Sequence, residues 1–322
     1  MTNDEFWAVA MGNGGEGEGV FLLRDDEDED ERDDNTKTIS YLVLGNNNNN
    51  NNNTGSAPTT LRLRPLPATD GVWSPVGADA WYASALLACV LLCDDESWQK
   101  EADLVPFSHP LAAVLSTEYP ARSGSWKTIL ELGSGAVGLS GFVCALALER
   151  KLAFLQENYT ESLPSQPSWK VLLTDNDLPV LEQLQSNLDE NRAKLAVSKN
   201  CVVTVEVAAW DWKDDHPSSG LLPNDDVVLV IGSELVYTRE TAEACVDLLV
   251  RLVSQYPHAM IWIVQVSDRY GWWDIVVPTL QKGNISVDSI PLSSEIHDMA
   301  AKMIHMGGTL DRDAYGAFCI HR

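Results

Sequence analysis

The chain has 322 residues, 45% of them hydrophobic, and 22 Lys plus Arg stand against 47 Asp plus Glu, a formal net charge of −25. That apolar fraction is enough for a buried core, so a chain disordered throughout is excluded. The acid excess disfavours a sequence-independent grip on a phosphate backbone and points to cationic partners.

The acid is concentrated at the N-terminus. Residues 25 to 34 read DDEDEDERDD, nine acids and one Arg, or −8. Residues 1 to 59 carry 13 acids and 3 bases, −10, which leaves −15 for the rest. Short apolar pieces (Phe6 to Met11, Val20 to Leu23, Thr38 to Leu44) alternate with a Gly/Glu stretch, the acid run and eight asparagines, Asn46 to Asn53. This composition predicts a few edge strands or a hairpin joined by disordered loops, an N-terminal extension over residues 1–60 ahead of a domain over 61–322. The first residues, MTNDEFWAVA, lack the sustained apolar core of a secretory signal, and the longest apolar run, Ala83 to Cys93, is too short for a bilayer. The expectation is a soluble, cytoplasmic monomer, with the nucleus as the other compartment open to it. The six scattered cysteines read as free thiols, and neither they nor the histidines show metal-ligand spacing.

From residue 60 the texture changes. Asp79 to Cys93 and Pro110 to Tyr119 read as helices. Then strand-length apolar runs alternate with amphipathic segments: Lys127 to Leu132 with Val137 to Phe154; Lys170 to Thr174 with Leu178 to Leu195; Val202 to Val207; Asp226 to Ile231 with Thr241 to Val253; Ala259 to Val266 with Trp272 to Leu280. Within Leu178 to Leu195, the leucines 178, 181, 184 and 188 form one predicted apolar stripe. A strand at Asn284 to Ile290, a helix near Glu295 to Met303 and a strand at Tyr315 to His321 close the chain. The alternation predicts a doubly wound, parallel α/β sheet, with ligands beyond the carboxyl ends of its strands.

The loops after those strands carry the chemistry. Glu131-Leu132-Gly133-Ser134-Gly135-Ala136-Val137-Gly138 places GxGxxG at a strand-to-helix junction, where glycines allow close backbone approach and the helix N-terminus offers free N–H groups. Such a turn also serves packing alone. Asp175 ends the second strand and can accept ribose hydroxyls, or it can cap the helix that follows. Trp210 and Trp212 can wall an adenine ring, with a core role open for one of them. Ser233-Glu234-Leu235-Val236-Tyr237 places an acid and a phenol at the rim; on the first turn of a helix the two would share a face. Trp272, Trp273 and Tyr270 read as packing residues.

Taken together, ILELGSG at 129–135, LLTDNDLPVLEQLQSNLDEN at 172–191, WDW at 210–212 and SELVY at 233–237 resemble the family 16 protein methyltransferases. So does Gly77-Ala-Asp-Ala-Trp81-Tyr-Ala-Ser84, similar to the family's Gly-x-x-x-Trp-x-Ala-Ala helix. The resemblance spans roughly Asp70 to Arg322. It implies a Rossmann-like seven-strand methyltransferase sheet with an N-terminal β extension, and S-adenosylmethionine as cofactor. It further implies that Trp81 lines the cofactor pocket, that Glu131 contacts the cofactor through the loop, and that Gly133, Ser134 and Gly135 cradle its methionine part. Asp175 would hold the ribose, Trp212 would flank the adenine, and Ser233 would lie beside the cofactor.

The family's rim is usually Asp-x-x-Tyr, and Glu234 departs from it; the Ser-Glu-x-x-Tyr form resembles protein-histidine methyltransferases. Gln156 to Trp169 reads as a surface insertion. The implied activity is methyl transfer to a lysine in a basic segment of a protein substrate, with Glu234 and Tyr237 positioning the acceptor nitrogen. The alternatives are a histidine target or a non-catalytic binding module. A nicotinamide oxidoreductase is disfavoured because Asp175 lies 37 residues beyond Gly138 rather than about 20. A nucleic-acid substrate is disfavoured by the charge and by SELVY in place of an Asn-Pro-Pro-Tyr motif.

Overall fold

The computed structural model describes residues 39–43, 59–66, 82–93, 109–116, 126–158, 168–195, 203–214, 226–266, 271–303 and 314–322. The acid run, the asparagine tract, Trp81, Cys201, Tyr270 and most of the expected insertion at 156–169 lie outside those residues.

Seven strands form the main sheet. β3 (Lys127–Leu132), β4 (Trp169–Asp175), β5 (Val203–Ala209), β6 (Asp226–Ser233) and β7 (Met260–Val266) run parallel. β9 (Tyr315–His321) inserts antiparallel between β7 and β8 (Ser286–Ile290), in the order β5-β4-β3-β6-β7-β9-β8. The sheet is therefore α/β and mostly parallel, with the expected closing strand pair. β3 is its pivot: the chain steps outward through β4 and β5, then returns to β6 on the other side. This reversal opens a crevice at the carboxyl ends of β3 and β6.

Strand side chains alternate between two apolar layers. Ile129, Ile231, Trp262 and Val264 join one core with α1 (Tyr82–Leu92), α3 (Leu139–Asn158), α4 (Leu178–Leu195) and α7 (Ser294–Met303). Leu130, Leu132, Ile261 and Ile263 join the other, with α5 (Arg239–Gln255) and α6 (Val277–Lys282). α1 is apolar on every side because α3, α7 and the sheet all pack on it. The short helix α2 (Pro110–Ser116) precedes β3.

Two expectations need correction. Leu178 leaves the apolar stripe of α4: it is 68% exposed, whereas Leu181, Leu184 and Leu188 are buried and Val180, at 0%, takes the buried place in the first turn. The helix expected over 272–280 is broken. Trp272–Val276 is one π turn, entered through Gly271 at φ 85°, with Val276 and Val277 donating to Gly271 O and Trp272 O, and α6 follows. Pro278 has no N–H to donate back to Asp274, so the bonds slip by one residue there.

Outside the main sheet, β1 (Ile39–Val43) pairs antiparallel with β2 (Thr59–Leu63). Leu61 and Leu63 are buried in the core shared with α3 and α4. A division of the chain at 60/61 falls inside β2. No helix of the described residues is long and apolar enough to cross a membrane.

Candidate active site

The loop after β3 is made by its glycines. Gly133, Gly135 and Gly138 all have φ between 59° and 65°, the left-handed region that side chains disfavour. At Gly133 a Cβ would stand 3.2 Å from Leu235 Cδ2 and 3.9 Å from Trp212 Cζ2, so the loop backbone abuts the tryptophan and the rim. Ser134 N donates to Thr174 O (2.8 Å), and Thr174 N donates back to Ser134 Oγ (3.1 Å). Thr174 Oγ1 donates to Glu131 O (2.6 Å), which stitches the loop to the end of β4.

Asp175 completes that seam. Its Oδ2 accepts from Gly135 N (3.1 Å), and its Oδ1 from Asn176 N (2.8 Å) and Asp177 N (3.2 Å). Burial pushes its carboxyl above the usual range, and the three backbone donors only partly offset this. The first turn of α4 is capped by Asp177, which accepts from Val180 N (3.2 Å), so Asp175 is left facing the glycine loop.

The two tryptophans separate as the alternatives allowed. Trp210 is core, its Nε1 donating to Asp214 O (3.2 Å), whereas Trp212 is half-buried beside Gly133. Arg251 of α5 donates to the carbonyls of Trp212 and Asp214 and holds this loop in place. Nothing in its sequence neighbourhood links it to a residue 39 positions earlier.

Ser233 ends β6, half-buried and paired with Val264. Glu234 and Tyr237 do not stand on a helical first turn. Glu234 has φ 50°, and α5 starts only at Arg239, after a capping box between Thr238 and Thr241. Glu234 N donates to Val264 O (3.0 Å), and Glu234 Oε1 accepts from Val266 N (3.0 Å), which turns the carboxylate toward the end of β7. Buried Gln265 clamps the rim through Val236, accepting from its N–H (3.0 Å) and donating to its carbonyl (2.9 Å). A lone Gln inside an apolar strand was the available sign of this clamp. Tyr237 is 37% exposed, and its phenol is pushed up first by burial and then by the charge of Asp175.

Glu131 lies beneath the loop. It is 2% exposed, its Oε2 has no hydrogen-bond partner, and Gly141 of α3 makes room for it: a Cβ there would stand 2.4 Å from Oε2. Burial raises its carboxyl to about 8, opposed only in part by its polar neighbours Ser134, Gly141 and Ser140. Folding therefore favours the protonated form. Below the ordinary value of 4.5 both states are protonated; from there to about 8 the unfolded chain gains from ionising, and stability falls. Glu131→Gln is expected to melt above the wild type at pH 7, with a gap that widens from pH 5 to 8. Thermal melts across that range check it, and parallel curves would refute it. A cation bound above the loop would draw the carboxyl toward its ionised form, so a positively charged ligand fits this seat.

Among the described residues no group of three His, Cys, Asp or Glu side chains could hold a metal. A seven-strand sheet whose reversal crevice holds a glycine loop, a carboxylate and an indole belongs to the Rossmann-like methyltransferase class. The family model described as lysine methyltransferase matches residues 68–270, and the chain belongs to that family. No curated protein sequence matches the chain. Solved structures similar to it include loganic acid methyltransferase with SAH (9% identity, 80% of this chain and 98% of that one, TM-score 0.38). A precorrin-6y C5,15-methyltransferase from Geobacter metallireducens is 14% identical over 72% of this chain and 96% of that one, TM-score 0.35. The complex of LepI with SAM is 12% identical over 66% of this chain, TM-score 0.34, and the chain spans 46% of the LepI length.

Proposed function

We propose that the protein is an S-adenosylmethionine-dependent protein-lysine N-methyltransferase acting on a basic segment of a protein substrate. The observation that carries this reading is the seam at Asp175: one carboxylate holds the Gly135 N–H, in a glycine loop whose Gly133 abuts both Trp212 and Leu235 of the rim. Gly133, Ser134 and Gly135 would support the methionine part and Asp175 the ribose, with Trp212 against the adenine, Ser233 alongside, and Trp81 from the segment before α1. Glu131 would lie under the positive charge.

The cofactor supplies a methyl group activated by a sulfonium. Transfer forms a nitrogen–carbon bond as the carbon–sulfur bond breaks, so the chain's task is alignment and a nitrogen with a free lone pair. A lysine has pKa about 10.4, and neutralising it at pH 7 costs about 4–5 kcal/mol. The proton leaves to water or to Glu234. Tyr237 stays a neutral phenol, able to accept from the amine and fix its direction. The net charge of −25 favours the approach of a basic segment.

The test is labelled cofactor with a cell lysate, followed by mass spectrometry of the labelled protein. Methyl-lysine supports the reading and methyl-histidine replaces it with the other target. Cofactor binding without any transfer would leave a binding module. Glu234→Gln and Tyr237→Phe are each expected to lower turnover at saturating cofactor by about 100-fold or more with cofactor affinity retained. Wild-type turnover in both would remove these residues from the chemistry.

A further inference from the structure

β2 and the residue that follows it, Arg64, lie outside the matched residues 68–270, yet one side chain ties Arg64 to the cofactor loop. Asn187, fully buried on α4, accepts from Arg64 N with its Oδ1 (2.8 Å). Its Nδ2 donates both to Arg64 O (2.9 Å) and to Ala136 O (2.9 Å), in the glycine loop. One turn later Asn191 repeats the grip on the strand, accepting from Arg62 N (2.9 Å) and donating to Arg62 O (2.6 Å). Its remaining bonds, however, stay inside the helix: Nδ2 donates to Asn187 O (2.8 Å) and Oδ1 accepts from Lys194 Nζ (3.4 Å).

The spacing explains the fit. Four helical residues rise about 6 Å and two strand residues about 6.6 Å, so Asn187 and Asn191 meet Arg64 and Arg62 in register. The two amides act as a substitute strand along the edge of β2 that β1 leaves unpaired. A loop built on three left-handed glycines has few side chains to hold it. Asp175 fixes it from the β4 side, and Asn187 fixes it from the other, at Ala136.

We infer that β2 is a clamp on the cofactor loop, with Asn187 a positioning residue through which the N-terminal strand pair sets cofactor affinity. The inference rests on the glycine loop holding the cofactor. Preorganising the loop lowers the ordering cost of binding, so its loss raises Kd and leaves turnover at saturation nearly intact.

The test measures S-adenosylmethionine affinity by calorimetry, turnover and melting temperature on the full chain. Asn187→Ala is expected to raise Kd about tenfold, chiefly from the loss of the one buried bond that reaches the loop, to Ala136 O, whereas Asn191→Ala lowers the melting temperature with Kd within about twofold. Arg64→Pro removes the donated N–H together with the exposed side chain, and Pro65 already biases residue 64 toward the extended region that proline tolerates. It should raise Kd as Asn187→Ala does. Arg64→Ala keeps the N–H, loses only the 3.4 Å ion pair to Glu190, and should leave Kd unchanged. Should Asn187→Ala fail to fold, Arg64→Pro against Arg64→Ala decides alone. Equal rises in Kd for the two asparagine variants, or none in Arg64→Pro, overturn the clamp. With Asp175→Ala as control, unchanged affinity there means that the cofactor site itself is elsewhere; weakened affinity there alone means that only the clamp fails.

Discussion

Asp175→Ala is expected to weaken S-adenosylmethionine binding by about two orders of magnitude, the largest effect of any single substitution on cofactor affinity. Hydrogen bonds to a charged acceptor contribute about 1.5–3 kcal/mol each, and two ribose hydroxyls would lose theirs together. The same change frees Gly135 N, Asn176 N and Asp177 N, which now share the carboxylate, so the glycine loop loses its anchor on β4 as well. Asp175→Asn keeps an acceptor in place and should fall between wild type and alanine. Calorimetry reads both, and alanine affinity within about threefold of wild type would exclude Asp175 as the ribose ligand. The same titration with NAD should show no heat.

Gly138→Ala should give the largest loss of stability. The residue is left-handed at φ 61°, and a Cβ there would stand 2.4 Å from Leu184 Cδ1 and 3.0 Å from Phe142 Cε2, both in the core. The left-handed backbone costs about 1–2 kcal/mol and overpacking about 1–3. A loss of roughly 2–5 kcal/mol should lower the melting temperature on the order of ten degrees. Because the nearest atom is the far end of a leucine, a double-mutant cycle with Leu184→Ala should show a combined loss smaller than the sum. A Gly138→Ala melt within a degree of wild type would mean that the turn does not need its glycine.

How far the site was legible depended on the kind of bond involved. GxGxxG at a strand end, Asp175 closing the next strand and the Trp212 loop were readable because each lies where one strand of an alternating pattern stops. The rim was readable in composition and misread in geometry: Glu234 bonds Val266, 32 residues later, and only the β6–β7 register brings them together. Arg251, Gln265 and Asn187 went unrecognised as supports for the same reason. Each is a single polar side chain reaching a backbone group 29 to 51 residues away or more, and local periodicity has no access to such pairs.

The sequence by itself determined the alternation of strands and helices, the doubly wound class, and the position of the glycine loop, Asp175, Trp212 and the SELVY rim at the carboxyl ends of β3, β4, β5 and β6. Hydrophobic period and turn residues are local properties, and they persist through any packing. Tertiary structure alone decided that Asp177 rather than Asp175 caps α4, that Trp210 is core while Trp212 meets the loop, and that Leu178 is exposed. It alone decided that β2, from beyond the recognisable enzyme, is stitched to the glycine loop through Asn187. Those outcomes depend on which backbone donors and acceptors are left unpaired once the sheet has formed, and only the assembled fold sets that.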